Sequence, residues 1–468
     1  MRIEWKSYIK YNDINIGRGY PISTLVEDRV KERFLMDTKV KGVNNFGAKG
    51  WFLILYSFLA LFVNVSMTID GLNVALPLLT DAQGLDYNLC LSMGTVAGFV
   101  GVVLMFVVGK IREKVGSRLT SGVLLIIAGL VYCLMYLNST SIPMYAVAMS
   151  ILVTCTQSCV YLCTGALQAQ WFPKKRGVAV GISTTGANLG SAILVPLMTA
   201  LTAVLGWQMG LEVFGIFSIV IGVLGLLILR DNPLDAGYYP DNVSKEVYEK
   251  EYLVEAEAAK EEYVSDWTVG KLLKTKETYL AILVPAFMGL GLVGIVSQFV
   301  SRNMALGLSQ VQAVGAMTVA AICGMIGSYL FGLIDTKFGT KRGAITYCIF
   351  FAIAVVMNIL GAVSVVFVYI SIVMVGASLG GTTNFQISWP ASIFGQLDYP
   401  KANTVIYPIM YCIISLNFVV NGIVLSVTGN LTTAYIIYAC LLLVAAIIAG
   451  LTDSTKWNKD VHPELMKK

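Results

Sequence analysis

Asp70 is an ionisable residue that lies well inside a long apolar run, at residues 51–77. A carboxylate at the centre of a bilayer costs about 2.5–3.5 kcal/mol on insertion scales, so it usually faces a cavity and has a function. Because burial favours the protonated form of a carboxylate, Asp70 could bind and release a proton near neutral pH. We therefore predict that Asp70 is a proton-coupling site. The alternative is an acid at a wetted helix end, since Gly71 and Pro77 could shorten the span.

Amide and aromatic side chains recur at helical spacing in the apolar runs. The candidates for substrate binding are Asn73, Gln157, Tyr161, Asn384, Gln386, Trp389, Tyr407 and Tyr411. The clearest stripe is Thr154, Gln157, Tyr161, Thr164 and Gln168, and residues Asn417 and Asn421 lie on another face of the Tyr407 helix. Lipid cannot satisfy an amide, so the stripes must face protein or water. We expect them to line a solute pathway, although any one residue could instead join two helices.

Arg302 is the single Lys or Arg on the side of the chain opposite the other 32, and Gln298 precedes it by one turn. An arginine pairs well with a carboxylate, so both residues are candidates for binding an anionic substrate at the outer mouth. Arg302 could equally anchor its helix at lipid headgroups. Since the later runs carry no other buried cation, a dicarboxylate is disfavoured. A monocarboxylate, an amphipathic acid, or an amine held by aromatic rings remains open.

The composition excludes several classes of protein. The chain has 468 residues, 56% hydrophobic and 13% charged, whereas a soluble domain has about 25% charged residues. One histidine, His462, is too few for histidine-based catalysis or metal binding. The nine cysteines fall in or beside apolar runs, where they serve as small packing residues. We therefore expect no enzyme activity, no metal and no cofactor. We also expect no nucleic-acid partner, because the sequence has no basic stripe with interleaved aromatic residues.

Twelve apolar runs are long enough to cross a bilayer as helices. They lie at 51–77, 88–109, 119–138, 143–169, 176–205, 207–229, 279–301, 308–333, 343–361, 363–390, 403–427 and 431–451. The segments that would share one side hold 32 of the 33 Lys and Arg residues. By the positive-inside rule, both termini and the loop at 230–278 are cytoplasmic, in a multi-pass protein of the plasma (cell inner) membrane.

The runs form two groups of six, which predicts two bundles. The predicted order is a cytoplasmic segment at 1–49, a bundle at 50–229, a charged linker with a helix at 230–278, a bundle at 279–451 and a tail at 452–468. Each bundle carries one similar loop after its second run. The loop residues are Gly109, Glu113, Lys114, Gly116 and Arg118 in the first bundle and Gly332, Asp335, Lys337 and Gly339 in the second. We expect the acids to bind helix N–H groups or neighbouring cations as a conformational latch.

These paired loops resemble the motif between spans 2–3 and 8–9 of the major facilitator superfamily. Further sequence features resemble its oxalate/formate-antiporter-like and monocarboxylate branch: Trp171-Phe172-Pro173 before the fifth run, Asn232-Pro233 after the sixth and Asp266-Trp267-Thr268 before the seventh. The resemblance implies an all-α membrane protein of 12 transmembrane helices in two pseudo-symmetric six-helix bundles. It also implies alternating-access transport of a small organic solute.

The resulting functional hypothesis is a monomeric, proton-coupled symporter of a small organic monocarboxylate. Its partners would be the solute, protons and the lipid bilayer. Two alternatives remain: transport or exchange of a zwitterionic or quaternary amine with Asp70 as the counter-ion, and a membrane solute sensor that binds without transporting.

Overall fold

The apolar runs are helical because a backbone in lipid must satisfy its own N–H and C=O groups. A computed structural model describes residues 45–173, 175–249 and 265–459. Within these ranges, twelve helices are long and apolar enough to cross a membrane, which confirms the predicted number. The predicted segment up to residue 44, most of the predicted linker helix (250–264) and the tail beyond residue 459 lie outside the described residues.

We number the twelve long helices in chain order. They are α1 Gly47–Gln83, α2 Tyr87–Val115, α3 Ser117–Tyr136, α4 Ile142–Trp171, α5 Val178–Leu205, α6 Trp207–Ile228, α7 Lys276–Val296, α8 Gln310–Asp335, α9 Thr340–Leu360, α10 Val365–Gly395, α11 Lys401–Thr428 and α12 Thr432–Leu451. Short helices at Lys245–Val247, Val269–Lys274 and Phe299–Ala305 lie between them.

Helices α1–α6 form one bundle and α7–α12 the other, as predicted. The bundles meet where α2 packs on α11 and α5 packs on α8. Small residues allow this approach: a Cβ atom on Gly98 of α2 would lie 2.1 Å from the Ser415 hydroxyl of α11. Thr95 of α2 adds two hydrogen bonds to this contact, because its hydroxyl donates to the Ser415 carbonyl and accepts the Val419 N–H. We call this contact between α2 and α11 the Thr95 seam. Close packing of this kind replaces the hydrophobic driving force that is absent between helices in lipid.

The loops predicted to be equivalent have the same backbone conformation. Gly116 has φ 94° and ψ 157°, and Gly339 has φ 83° and ψ 152°. A side chain is strongly disfavoured at positive φ, so glycine is needed at both positions. The two loops predicted to be equivalent thus each contain a glycine with the same backbone conformation.

Three helices depart from regular α geometry near the centre of the protein. α1 is interrupted at residues 69–71, between the segments Gly47–Thr68 and Leu72–Gln83. α7 ends at Val296 and is followed, after Ser297 and Gln298, by the helix Phe299–Ala305. α4 contains a π-helical stretch at Ser158–Thr164. Such breaks and π segments free backbone groups and re-aim side chains, and they are frequent at functional sites.

The two ends of the bundle pair differ in how tightly they close. We call the face at which α1 begins the terminal face and the opposite one the far face. Towards the far face, Thr318 of α8 donates to the Ala192 carbonyl of α5 at 2.5 Å. Closer to the terminal face, by about three turns on α8 and two on α5, Tyr329 is 69% exposed and Thr185 is exposed. The hydrogen bond between α5 and α8 thus lies towards the far face, and exposed side chains occur on both helices nearer the terminal face.

Candidate functional site

A cavity of about 90 Å³ lies between the two bundles. Five predicted substrate-binding residues line it: Gln157 and Tyr161 of α4, Gln386 of α10, and Tyr407 and Tyr411 of α11. The remaining lining residues are Ile69, Val293, Met410, Ile414, Ser415, Asn417 and Phe418. We call this space the central cavity. Its walls come from both bundles, as a solute site between two moving halves requires.

The π-helical stretch of α4 fixes the contacts across the central cavity. Gln157 immediately precedes this stretch, and its Nε2 lies 2.7 Å from the Tyr411 hydroxyl. Tyr161 lies within it, and its ring centroid is 5.4 Å from that of Tyr407. Tyr407 in turn stacks on Tyr411 with centroids 6.2 Å apart. One amide and three tyrosine rings thus link α4 of the first bundle to α11 of the second.

The rest of the predicted α4 stripe does not reach the central cavity. The Thr154 and Thr164 hydroxyls donate to the carbonyls of Ser150 and Val160 in their own helix. Gln168 donates to Ser183 of α5 and so joins two helices of one bundle. Beyond Gln157 the reason is geometric: a π-helical turn holds more residues than the 3.6 of an α-helix, so a stripe drawn at α spacing rotates off the face.

Asp70 lies at the break in α1 and is 2% exposed. The N–H groups of Asp70 and Gly71 both point at the Val65 carbonyl, at 3.0 and 3.4 Å, which tightens the break into a turn. Gly71 is required for space, because a Cβ there would lie 1.7 Å from the Ser66 carbonyl oxygen. Ile69, the neighbour of Asp70 in the same turn, lines the central cavity. The carboxylate predicted to couple protons is therefore built into a helix break beside the cavity.

Asn73 connects the break in α1 to the break after α7 through three hydrogen bonds, which we call the Asn73 clasp. Its Nδ2 donates to the Asp70 carbonyl at 3.0 Å and to the Val296 carbonyl at 2.9 Å. Its Oδ1 accepts the Val300 N–H at 3.0 Å. One buried amide thus satisfies backbone groups that two broken helices leave without helical partners. Asn73, predicted to bind substrate, joins the two bundles on the far-face side of the central cavity.

Gln298 takes part in the same closure. Its Oε1 accepts the Tyr87 hydroxyl of α2 at 2.8 Å, and its Nε2 donates to the Ser297 carbonyl at 2.9 Å. The side chain is 1% exposed. Gln298 does not line the central cavity; it connects the α7 break to the far-face end of α2.

Arg302 lies within the second bundle, 4% exposed. Its guanidinium donates to Asn358 of α9 and Thr432 at the start of α12, at 2.9 and 3.1 Å, and stacks over Tyr435. The side chain therefore fastens the short helix Phe299–Ala305 to α9 and α12, away from the residues that line the central cavity. Binding of a substrate anion at Arg302 stays a prediction.

Trp389 and Asn384 of α10 occupy other positions. The Trp389 indole is fully buried and donates to the Leu280 carbonyl of α7 at 3.1 Å. Asn384 donates to the Ser328 carbonyl of α8 at 2.8 Å and lines a second, open cavity of about 540 Å³ with Asp335 and Gly332. This cavity lies near the terminal-face ends of α8 and α10.

The first loop motif is held by an acid that sequence reasoning missed. Asp231, which follows α6, accepts the backbone N–H of Arg118 at the start of α3, at 2.8 Å. The Arg118 guanidinium donates to the Leu226 carbonyl of α6, at 2.6 and 3.1 Å. Glu113 and Lys114 are exposed in the preceding turn. An anion at a helix N-terminus is favourable, and the signal in the sequence was the acid directly after the sixth run.

The second loop motif has the same backbone with different surroundings. A Cβ at Gly116 would meet the Asp231 carboxylate at 2.7 Å, whereas one at Gly339 would meet nothing within 4 Å. Lys337 is exposed there. Gly109 likewise has open space around it. The latch function of both motifs stays a prediction, and the described contacts are denser in the first. In the residues that the structure describes, no group of three His, Cys, Asp or Glu could hold a metal ion.

Known proteins support the fold seen here. The chain is 23% identical over 304 residues to the uncharacterized MFS-type transporter YhjX of Escherichia coli (strain K12), covering 64% of this chain and 70% of the relative. It is 27% identical over 203 residues to human monocarboxylate transporter 14, covering 42% and 38%. The chain thus spans well under two thirds of that second relative.

A solved structure, the D-xylose-proton symporter, superposes with a TM-score of 0.65 at 12% identity, covering 87% of this chain and 98% of the symporter. At that identity the likeness concerns the fold alone. The family model of the Major Facilitator Superfamily matches residues 51–416, which is most of the sequence. The chain therefore belongs to the Major Facilitator Superfamily.

Proposed function

We propose that the protein is a monomeric secondary transporter that moves a small organic monocarboxylate across the plasma membrane by alternating access. The observation that carries the proposal is the central cavity, which is walled by polar side chains of both bundles and lies beside a helix break that contains a buried carboxylate. A solute bound there would contact both bundles, so its binding energy could favour one arrangement of the bundles over another.

The distribution of Lys and Arg supports a cytoplasmic terminal face. With that orientation we infer an inward-facing state, which is supported by the contact of α5 with α8 towards the far face and by the exposed side chains nearer the terminal face. Outward opening would then require the Asn73 clasp and the Thr95 seam to separate. The two cavities would serve as solute site and cytoplasmic vestibule.

Asp70 is the proposed proton-binding group. Its backbone carbonyl accepts from Asn73, the residue that joins the bundles. A change in charge at Asp70 would alter the turn that positions this carbonyl, and so would act on the clasp. Protonation removes the cost of a buried negative charge while the bundles rearrange. This arrangement links proton binding to opening of the far face.

A monocarboxylate is favoured by the resemblance to the monocarboxylate branch and by the named relative, human monocarboxylate transporter 14. The second candidate is a zwitterionic or quaternary amine, which is favoured by the three tyrosine rings of the central cavity. An ammonium over such rings gains about 0.5–2 kcal/mol. Lowering the pH separates the two: it should promote symport of an acid and weaken binding of a cation that needs ionised Asp70.

The test is uptake of labelled monocarboxylates into proteoliposomes with an inward proton gradient. The wild type should accumulate the solute. Asp70→Asn should abolish accumulation driven by the gradient and retain counterflow of preloaded solute, because the neutral amide cannot exchange a proton. Normal accumulation by Asp70→Asn would show that another group couples the proton.

Glu212→Gln provides the matched control. Glu212 is an acid near the far-face end of α6, where it accepts from Gln208 one turn earlier in the same helix. This variant should accumulate the solute as the wild type does. Saturable binding without flux in any of the proteins would instead support the sensor hypothesis.

A further inference from the structure

Among the residues that the structure describes, no side chain with a carboxylate, ammonium, guanidinium or imidazole group lines the central cavity. The described lining consists of the tyrosines, amides, one serine and apolar residues named above. A solute that enters with a net charge would therefore leave water without gaining a counter-charge from the walls. An unpaired charge in a low-dielectric site costs far more than an uncharged polar group does.

Two side-chain amide oxygens of the lining, Asn417 Oδ1 and Gln157 Oε1, are buried and accept no hydrogen bond from the part of the chain that the structure describes. The orientation of the Asn417 amide is fixed, because its Nδ2 donates to the Ile414 carbonyl at 2.7 Å. The residues are 0% and 2% exposed, respectively. A buried acceptor without a donor costs about 1–3 kcal/mol. A solute that donates a hydrogen bond to either oxygen would remove that cost.

Asn421 shows that α11 can satisfy a buried asparagine when no solute is involved. It lies one turn after Asn417 and is equally buried. Its Nδ2 donates to the Gly294 carbonyl at 2.8 Å, and its Oδ1 accepts the Tyr438 hydroxyl at 2.7 Å. The difference between these neighbours is that Asn417 lines the central cavity and Asn421 does not.

We propose that the central cavity binds its solute in an uncharged form whose O–H or N–H groups donate to Asn417 Oδ1 and Gln157 Oε1. This inference rests on the proposed function, and for a monocarboxylate it means the undissociated acid. A carboxylate has no donor, so its negatively charged oxygens would face the two amide oxygens and be repelled electrostatically. The single hydroxyl of the undissociated acid donates to one of the two oxygens instead, whereas the two N–H groups of an amide can donate to both. The acid carbonyl can accept from Nε2 of Gln386, which also lines the cavity.

The size of the cavity limits the solute. A site for one water molecule needs about 10–15 Å³ of this kind of volume, so about 90 Å³ has room for an acid or amide with a short carbon chain.

The experiment measures binding of three small probes to the purified full-length protein by isothermal titration calorimetry. Propionate, propionamide and ethanesulfonate are similar in size, and only propionate changes its average charge between about pH 5 and about pH 8. At about pH 5 and about pH 8, propionamide should bind equally, and propionate should bind about tenfold more weakly per pH unit above its own pKa. Ethanesulfonate should not bind. Equal binding of propionate at both pH values, binding of ethanesulfonate, or binding of none of the three would overturn the proposal.

Two variants give the residue-level test. Asn417→Leu should weaken propionamide binding about tenfold, and Gln157→Met should do the same. Asn421→Leu, the matched control, should leave the affinity unchanged even if it lowers the unfolding temperature. If Asn417→Leu does not fold, Gln157→Met alone decides, and wild-type affinity in that variant would contradict the assignment.

Failure of this inference can be told apart from failure of the proposed function. If proteoliposomes accumulate propionate but its binding does not depend on pH, proton-coupled transport stands and the uncharged solute is wrong. If propionamide binds as expected and no acid is accumulated, the uncharged class stands and monocarboxylate symport is wrong.

Discussion

Replacing Asn73 by leucine should open the far face of the protein. Leucine has a similar size but can neither donate nor accept. The substitution removes the hydrogen bond to the Asp70 carbonyl. This bond lies within α1, so its loss affects both states equally and does not change the balance between them. It also removes the two bonds that cross between the bundles, to the Val296 carbonyl at 2.9 Å and from the Val300 N–H at 3.0 Å. The crossing bonds exist only while the far face is closed.

The size of the effect follows from those two bonds. A buried hydrogen bond contributes about 0.5–1.5 kcal/mol net, so the pair favours closure by about 2 kcal/mol. Since about 1.4 kcal/mol is a factor of ten, the ratio of open to closed molecules should rise about 30-fold. A far face open in about 1% of wild-type molecules would then be open in about a quarter of the variant molecules.

Double electron–electron resonance measures this ratio directly. Spin labels on Ala82 and Gln310, both exposed near the far-face ends of α1 and α8, report the distance between the bundles in a background with its native cysteines replaced. Asn73→Leu should add a population at longer distance. Asn421→Leu is the control, because the bonds of Asn421 lie within the second bundle. An unchanged distance distribution in Asn73→Leu, or an equal shift in both variants, would refute the reasoning.

Two further predictions concern stability. Gly71→Ala should lower the free energy of unfolding by about 3 kcal/mol and so lower the thermal unfolding midpoint, because its Cβ would overlap the Ser66 carbonyl. Gly181→Ala is the control: the space around Gly181 is open, so this variant should be neutral or stabilising. Lys459→Met should cost about 3 kcal/mol, because it removes the ammonium that pairs at 3.2 Å with the fully buried Asp398. Adding Asp398→Leu should recover much of the loss, and additive losses in the unfolding midpoint would contradict the broken ion pair as the cause.

The crossings of the membrane could be predicted from the sequence because they depend on a local property. A run of apolar residues has no other stable place in a bilayer, so composition alone decides the helix. The glycine-containing loops were equally visible, since Gly116 and Gly339 are needed for local backbone reasons. These features require no knowledge of which helices touch.

The site was only partly predictable because its geometry depends on breaks in the helices. The prediction that one stripe of α4 lines the pathway assumed constant α-helical spacing. The π segment at Ser158–Thr164 changes that spacing after Gln157, and Gln157 and Tyr161 are the members of the predicted stripe that line the central cavity. The capping role of Asp231 depends on where α6 ends relative to the start of α3. Contacts of this kind are set by tertiary packing, and a single sequence carries no direct signal for them.

The structure also explains how one fold repeat yields a single asymmetric site. The equivalent loop glycines are 223 residues apart (339 minus 116), and Asn73 donates to the residue 223 positions later, Val296. At this contact, the first half supplies a side chain and the second supplies bare backbone. Each half provides one helix break, at residues 69–71 and after Val296, and Asp70 and Asn73 belong to the first break alone. Exchanging the roles by Asn73→Val with Val296→Asn should restore far-face closure in the spin-label measurement if the proximity of these two positions is what allows the clasp. It should fail if the surroundings of Asn73 are unique to the first half.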